Sequence, residues 1–237
     1  MEEHDNAVNK IAFQITRLYE QKKSFKIYHG TTNSTRKTIV TRDSVVDTSP
    51  LSRVLSVNQS AKTALVEPNV SFDHLVRAVL RYNLLPPVVP EFPAITVGGA
   101  IAGMAGESSS FKYGFVSDNV KWMQLVLPNG TITTATRDSN ADLFDGVMGT
   151  FGSVAVVVLL EIKLVKAEQF VRLTYSPANS VPELLRAMRR ATQSQENDFV
   201  DSMLYRRNRG VVVSGTFAAS VGKGEKIQRH SRAGDEW

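Results

Sequence analysis

The stretch Pro90-Glu91-Phe92-Pro93-Ala94-Ile95-Thr96-Val97-Gly98-Gly99-Ala100-Ile101-Ala102-Gly103 decides how this chain is read. A glycine pair and a third glycine four residues on remove every Cβ over a continuous surface, so a flat ligand can lie against bare backbone. The segment is not a P-loop, which ends in Gly-Lys-Ser/Thr, and it lacks the Gly-x-Gly-x-x-Gly spacing of the dinucleotide turn. The same glycines also suit a crowded turn with no ligand, and both readings stand at this point. From Thr96 to Gly114 the chain holds Gly98, Gly99, Gly103, Gly106 and Gly114 in 19 residues, too many for one regular core element.

On the N-terminal side, Val8, Ile11, Ala12, Ile15 and Leu18 recur at helical spacing and predict an amphipathic helix over 6–21. A short strand follows at 25–28, then strands at 54–58 and 63–67 around the polar break Gln59-Ser60-Ala61-Lys62. Ser71 is an N-cap for a helix over 72–83, and Pro86, Pro87, Pro90 and Pro93 forbid its continuation. On the C-terminal side, strands at 120–127 and 131–135 flank Asn129-Gly130, a tight hairpin signal. A short helix around 142–148 leads to Gly149-Thr150-Phe151-Gly152 and one long apolar strand, 154–165. A second strand-helix-strand-strand series is expected at 170–175, 181–193, 199–205 and 211–217.

Composition narrows the function. The 237 residues are 42% hydrophobic and 22% charged, the balance of a globular protein. With no cysteine there is no disulfide, thiolate metal site, catalytic thiol or cysteinyl cofactor link. The longest apolar run, 154–160, falls far short of the roughly 20 residues that cross a bilayer. The acidic N-terminus is neither a signal nor a transit peptide, so the protein is expected to be cytoplasmic, with no transmembrane segment. The net charge of +5 lies wholly in the C-terminal part: residues 163–237 hold 13 basic and 8 acidic side chains. The Arg206, Arg207 and Arg209 cluster reads as a solvated turn, and nucleic acid is not an expected partner.

Two segments carry candidate chemistry. The loop from His29 to Arg36 offers backbone N–H groups, three threonine hydroxyls, a serine and an arginine, a set able to hold a diphosphate and equally usual in a polar connection. Further on, Glu107-Ser108-Ser109-Ser110-Phe111-Lys112-Tyr113-Gly114 brings a cation beside a phenol that could donate a proton or simply pack. The histidines at 4, 29, 74 and 230 have no spacing that builds a metal site or a Ser-His-Asp constellation.

Taken in order, six segments resemble the FAD-binding PCMH-type domain of the vanillyl-alcohol oxidase and p-cresol methylhydroxylase superfamily. They are His29-Gly30-x-x-Asn33-Ser34; Pro90-Glu91 with Thr96-Val97-Gly98-Gly99-x-Ile101-x-Gly103; Ser108-Ser109-x-x-Lys112-Tyr113-Gly114; Asn129-Gly130; Asp142-Leu143-Phe144; and Gly149-x-x-Gly152. The resemblance covers about 20–166. Within that superfamily Gly106-Glu107-Ser108-Ser109-Ser110 and Gln195-Glu196-Asn197-Asp198-Phe199-Val200 are most similar to Delta(24)-sterol reductases.

The resemblance implies an α+β fold: an FAD-binding domain over 1–167, in subdomains 1–68 and 69–167, then the start of a truncated α+β cap domain over 168–237. It implies that His29, Gly30, Thr31, Thr32, Asn33 and Ser34 hold the FAD diphosphate. Thr96, Val97, Gly98, Gly99, Ala100, Ile101, Ala102, Gly103, Gly106, Glu107 and Ser108 would line the cofactor, with Gly149 and Gly152 near its adenosine. Asn33 stands where many relatives have a flavin-linking histidine, so the FAD is expected to be non-covalent. The implied reaction is reduction of a carbon–carbon double bond in the aliphatic tail of a sterol, a small-molecule substrate, with NADPH as reductant. Lys112 and Tyr113 would lie near the isoalloxazine, with Tyr113 as proton donor. The shared domain also suits an FAD-dependent alcohol or sugar-lactone oxidase. Relatives carry an N-terminal anchor in the endoplasmic reticulum membrane and a long cap. A protein without them could be a non-catalytic FAD-binding remnant that self-associates through an uncapped apolar face.

Overall fold

The apolar positions of the first helical pattern fold as α1 (Glu2–Glu20), which buries Val8, Ile11, Ala12, Ile15 and Leu18. The computed structural model describes residues 1–30 and 44–228. The helix starts before the expected residue 6 because Glu2, Glu3 and Asp5 put carboxylates in its first turn, where the helix dipole favours them. Its buried stripe meets Val46, Leu51, Val126, Val156 and Val158 in one apolar cluster, and each large aliphatic side chain so buried contributes about 1.5–3 kcal/mol.

The chain then forms β1 (Lys26–Tyr28), parallel to β2 (Val45–Asp47), a strand too short for its sequence to announce. The expected hairpin follows as β3 (Val54–Asn58) and β4 (Thr63–Val66). Asn58 Oδ1 accepts the N–H of Ala61 at 2.9 Å, and Lys62 closes the turn at φ +50°. Next comes α2 (Phe72–Leu80), where Ser71 Oγ accepts the N–H of His74 at 3.3 Å as an N-cap. The elements after it are β5 (Leu84–Leu85), the glycine helix α3 (Val97–Ala102) and α4 (Ser110–Tyr113). They lead into β6 (Val120–Val126), β7 (Ile132–Thr136), α5 (Ala141–Val147), β8 (Val156–Lys163) and β9 (Val165–Lys166).

Strands β3-β4-β8-β6-β7 make a five-stranded antiparallel sheet. The apolar run expected as one strand over 154–165 is split. Leu164 turns its N–H to Lys62 O at 2.7 Å, and β9 pairs with β5 instead. A register shift of β8 against β6, between Gln124 and Leu125, changes which face its side chains serve. Val156 and Val158 join the α1 cluster, whereas Leu160 and Ile162 join the main core with Phe72, Leu75, Ile101 and Phe144. Covered on both faces, β8 is apolar almost throughout. The Pro128-Asn129-Gly130 connection is a three-residue loop, and of the Asn-Gly pair only Gly130 takes positive φ, +83°, with Leu127 N–H reaching Thr131 O at 2.9 Å. A Cβ on Gly130 would stand 1.8 Å from Thr16 Oγ1 of α1, so helix and hairpin meet where only glycine fits.

Residues Met1–Lys166 form one compact unit and Ala167–Trp237 another. The second holds β10 (Phe170–Ala178), α6 (Val181–Gln193), β11 (Phe199–Arg206) and β12 (Arg209–Ala218), with an antiparallel sheet in the order β10-β12-β11. Ser180 Oγ caps α6 at the N–H of Glu183, whose carboxylate accepts from Asn179 N–H at 2.8 Å. Leu184 of α6 lies against Gly210 of the sheet, where a Cβ would meet it at 3.1 Å. On the opposite sheet face Leu173, Tyr175 and Met203 are exposed. Among the described residues no helix is long and apolar enough to cross a membrane.

One buried carboxylate ties the first unit together. Glu67 is fully buried; its Oε2 accepts from the backbone N–H of Arg53 at 2.7 Å and from Arg53 Nε at 3.3 Å. Its Oε1 accepts from Arg53 Nη2 at 3.2 Å and from Nδ1 of the buried His4 at 2.9 Å. Arg53 Nη1 also pairs with the exposed Glu3. Glu67→Ala strands the His4 donor in an apolar setting and is expected to cost about 3 kcal/mol, read from urea unfolding. Glu67→Gln, which keeps the shape and one acceptor oxygen, is expected to cost clearly less.

Candidate functional site

A cavity of about 600 Å³ opens in the first unit between β1, the turn at 68–69, α3 and the segment from 147 to 157. That volume is ordinary for a cofactor or small-molecule site. One wall is the end of β1 with His29; another is Thr96, Gly98, Gly99, Ile101 and Ala102 of the glycine helix and its cap. Val147, Phe151, Gly152 and Ser153 complete it, with Thr48 and Asn69 below.

Local chemistry explains the placement of α3. Thr96 Oγ1 accepts the N–H of Gly99 at 3.2 Å and starts the helix. Gly98 donates its N–H to Pro68 O at 2.7 Å, and a Cβ there would stand 2.8 Å from Pro68 Cβ. The helix closes with paired bonds, Ala105 N–H to Ala100 O and Met104 N–H to Ile101 O, and Met104 occupies the left-handed position usually given to glycine, at φ +51°. The facing turn is fastened to this helix: Gly149 N–H donates to Ile101 O at 3.1 Å and Phe151 N–H to Ala102 O at 3.2 Å. Phe151 is itself left-handed, at φ +53°, a conformation that costs a bulky residue about 1–3 kcal/mol.

The charge of the lining is one-sided. Among the described residues it contains Lys26 and His29 and no carboxylate. Burial lowers the pKa of the His29 imidazole below its ordinary value of 6.5, with a smaller opposing influence from its own backbone. His29 Nδ1 is buried and has no hydrogen-bond partner among the described residues. An orphan nitrogen, an acid-free wall and bare glycine backbone together fit an anionic, planar ligand with acceptors of its own.

The sequence expectations divide into four groups. His29, Thr96, Gly98, Gly99, Ile101, Ala102 and Gly152 line the cavity together, with Val97 and Ala100 buried just behind them. Gly30, at φ +77°, follows His29 at the cavity edge, and Gly103 and Gly149 complete the helix end and the facing turn. Gly106, Glu107, Ser108, Lys112 and Tyr113 are not in the lining. A Cβ on Gly106 would stand 2.9 Å from the Phe115 ring, Glu107 Oε1 accepts the N–H of Glu91 at 2.8 Å, and Tyr113 packs against the main core. Thr31, Thr32, Asn33 and Ser34 lie outside the described residues. Sequence reasoning missed Thr48, Pro68, Asn69 and Phe151; only Phe151, an aromatic between two glycines, left a trace.

Comparison with known proteins adds the family. The model of the FAD binding domain family matches residues 9–136. The chain is 35% identical over 193 residues to the Delta(24)-sterol reductase of Arabidopsis thaliana, covering 77% of this chain and 34% of that protein. It is 33% identical over 196 residues to the Delta(24)-sterol reductase of Pisum sativum, covering 77% and 35%. With the Delta(24)-sterol reductase of Homo sapiens it shares 32% over 162 residues, covering 68% and 31%. The protein thus spans about a third of the length of the curated relatives it matches.

Burial of His29 sets a pH dependence. The unfolded imidazole takes up a proton near 6.5 and the folded one only at lower pH, so stability is full above 6.5 and falls as the pH is lowered through that value. Urea midpoints of the ligand-free protein from about pH 7.5 to about pH 5 are expected to fall more steeply for the wild type than for His29→Asn.

Proposed function

We propose that this protein, which belongs to the FAD binding domain family, holds one FAD non-covalently in the cavity beside α3. We propose further that it serves a reductase acting on a C=C bond of a sterol-like small molecule. The observation that carries the reading is the acid-free cavity walled by the Thr96-capped glycine helix, within the unit that holds the whole family match. The names of its relatives support the substrate class, and the absence of cysteine supports a cofactor without a thioether link.

In this reading His29 and the loop 30–34 meet the diphosphate, and the backbone of Gly98 and Gly99 takes the flat face of the ligand. Lys26 balances the phosphate charge. The bound flavin supplies hydride chemistry, with NADPH as reductant, and the protein supplies orientation and exclusion of water. Tyr113, which lies outside the cavity lining, is the proposed proton donor to the substrate carbon that does not receive hydride, with the substrate reaching it beyond the cavity wall. Lys112 Nζ stands 5.6 Å from the Tyr113 ring centroid, a cation placed beside that phenol.

Two experiments test the reading. Purified protein loaded with FAD and freed of excess is expected to keep about one flavin per protein molecule, all of it released by acid precipitation. Flavin in the pellet would overturn the non-covalent reading, and absence of flavin would overturn the site. Tyr113→Phe is expected to leave FAD binding and reduction by NADPH unchanged while slowing sterol reduction about 100-fold or more. Unchanged turnover would remove Tyr113 from the chemistry, and rapid consumption of oxygen by the reduced flavin would favour an oxidase.

A further inference from the structure

Phe151 is 84% exposed, more than any other large apolar side chain among the described residues, and it stands on the cavity wall. The fold gains nothing by holding a phenyl ring in water, and its backbone is in the left-handed region, at φ +53°, where a bulky residue is strained. The surroundings nevertheless hold it there. Its N–H is bonded to Ala102 O, and the N–H of Gly149 to Ile101 O, so the turn is stapled to the glycine helix on the other side of the cavity. The neighbouring position is a poor place for the ring, since Gly152 is also left-handed, at φ +77°, and a Cβ there would press on Ile27 Cδ1. Met104, the other strained apolar residue, is half exposed and lays its Sδ 2.7 Å from where a Gly149 Cβ would be.

We infer that Phe151 is a fixed aromatic platform on which a planar heterocycle of the cavity's ligand stacks. A ring carried on a bonded backbone needs no main-chain rearrangement when a second ring covers it, and the contact buries apolar surface on both. The inference rests on the reading that the cavity takes FAD, which offers two such rings, adenine and isoalloxazine. Both present the same flat chemistry to Phe151.

The test compares wild type, Phe151→Gly and Phe151→Tyr by titration with FAD, ADP and FMN, alongside thermal melting without ligand. Phe151→Gly removes the ring and the strain together, so its ligand-free melting temperature is expected to equal or exceed that of the wild type. Its dissociation constant for FAD is expected to rise about 5- to 150-fold, and Phe151→Tyr is expected to restore it. The same loss with ADP assigns the stack to adenine, and the same loss with FMN to isoalloxazine. A wild type that binds FAD and a folded Phe151→Gly that binds it equally well would overturn this inference alone. A wild type that binds no FAD would overturn the proposed function and this inference with it.

Discussion

The turn at residues 67–70 is where the first unit is knotted together by hydrogen bonds. Glu67 reaches back to His4 of α1 and to Arg53 before β3. Pro68 and Val70 offer their carbonyls to the N–H groups of Gly98 and Val97, and Asn69 donates its backbone N–H to Leu51 O and its side-chain amide to Thr48 O. Four consecutive residues therefore fix the N-terminal helix, the segment after β2 and the glycine helix relative to one another. Glu67 and His4 are fully buried and the other bonds are at least partly shielded, so an unmet donor or acceptor is costly and the parts are held in place together.

The cavity inherits its shape from that turn. Because Gly98 has no side chain, α3 comes down onto Pro68, and the helix then offers Ile101 and Ala102 carbonyls to the turn at 149–151. Glycine at 98 serves packing against Pro68 as well as lining the cavity, whereas at Gly99 a Cβ would meet only the Thr96 hydroxyl, at 3.0 Å. The crowded-turn reading allowed by the sequence applies at Gly98, and Gly99 leaves bare backbone on the cavity wall. The strain at Met104 and Phe151 is sustained by the same backbone bonds that join helix and turn.

The sheet supports this arrangement from beneath. The register shift in β8 lets one strand serve two cores, one under α1 and one under α2, α3 and α5. The segment 106–113 plays a different part. Glu107 and Ser109 hold the proline-rich connection through Glu91 N–H and Pro87 O, so residues adjacent in sequence to the glycine helix help place that connection without joining the cavity wall.

The amino-acid sequence by itself determined the element types, because helical spacing in 8–18, the Ser71 cap and the proline block after α2 act over a few residues. It also determined the α+β class and the FAD family, through six motifs in register, and it excluded a cysteinyl link outright. Half-buried alternation, short pairings such as β1 with β2, and the break of β8 at Leu164 were settled by partners far along the sequence, and local pattern carries no record of them. The cavity shows the same division. Its bare glycine backbone was legible because missing side chains are visible in a sequence, but its folding into a helix was not; nor were the burial of Glu67 and the contributions of Thr48 and Asn69, since a polar residue looks alike whether solvent or a distant carbonyl receives its hydrogen bond. Phe151 reads in sequence as one more apolar residue, and only the bonded, left-handed backbone of the folded turn turns its ring outward.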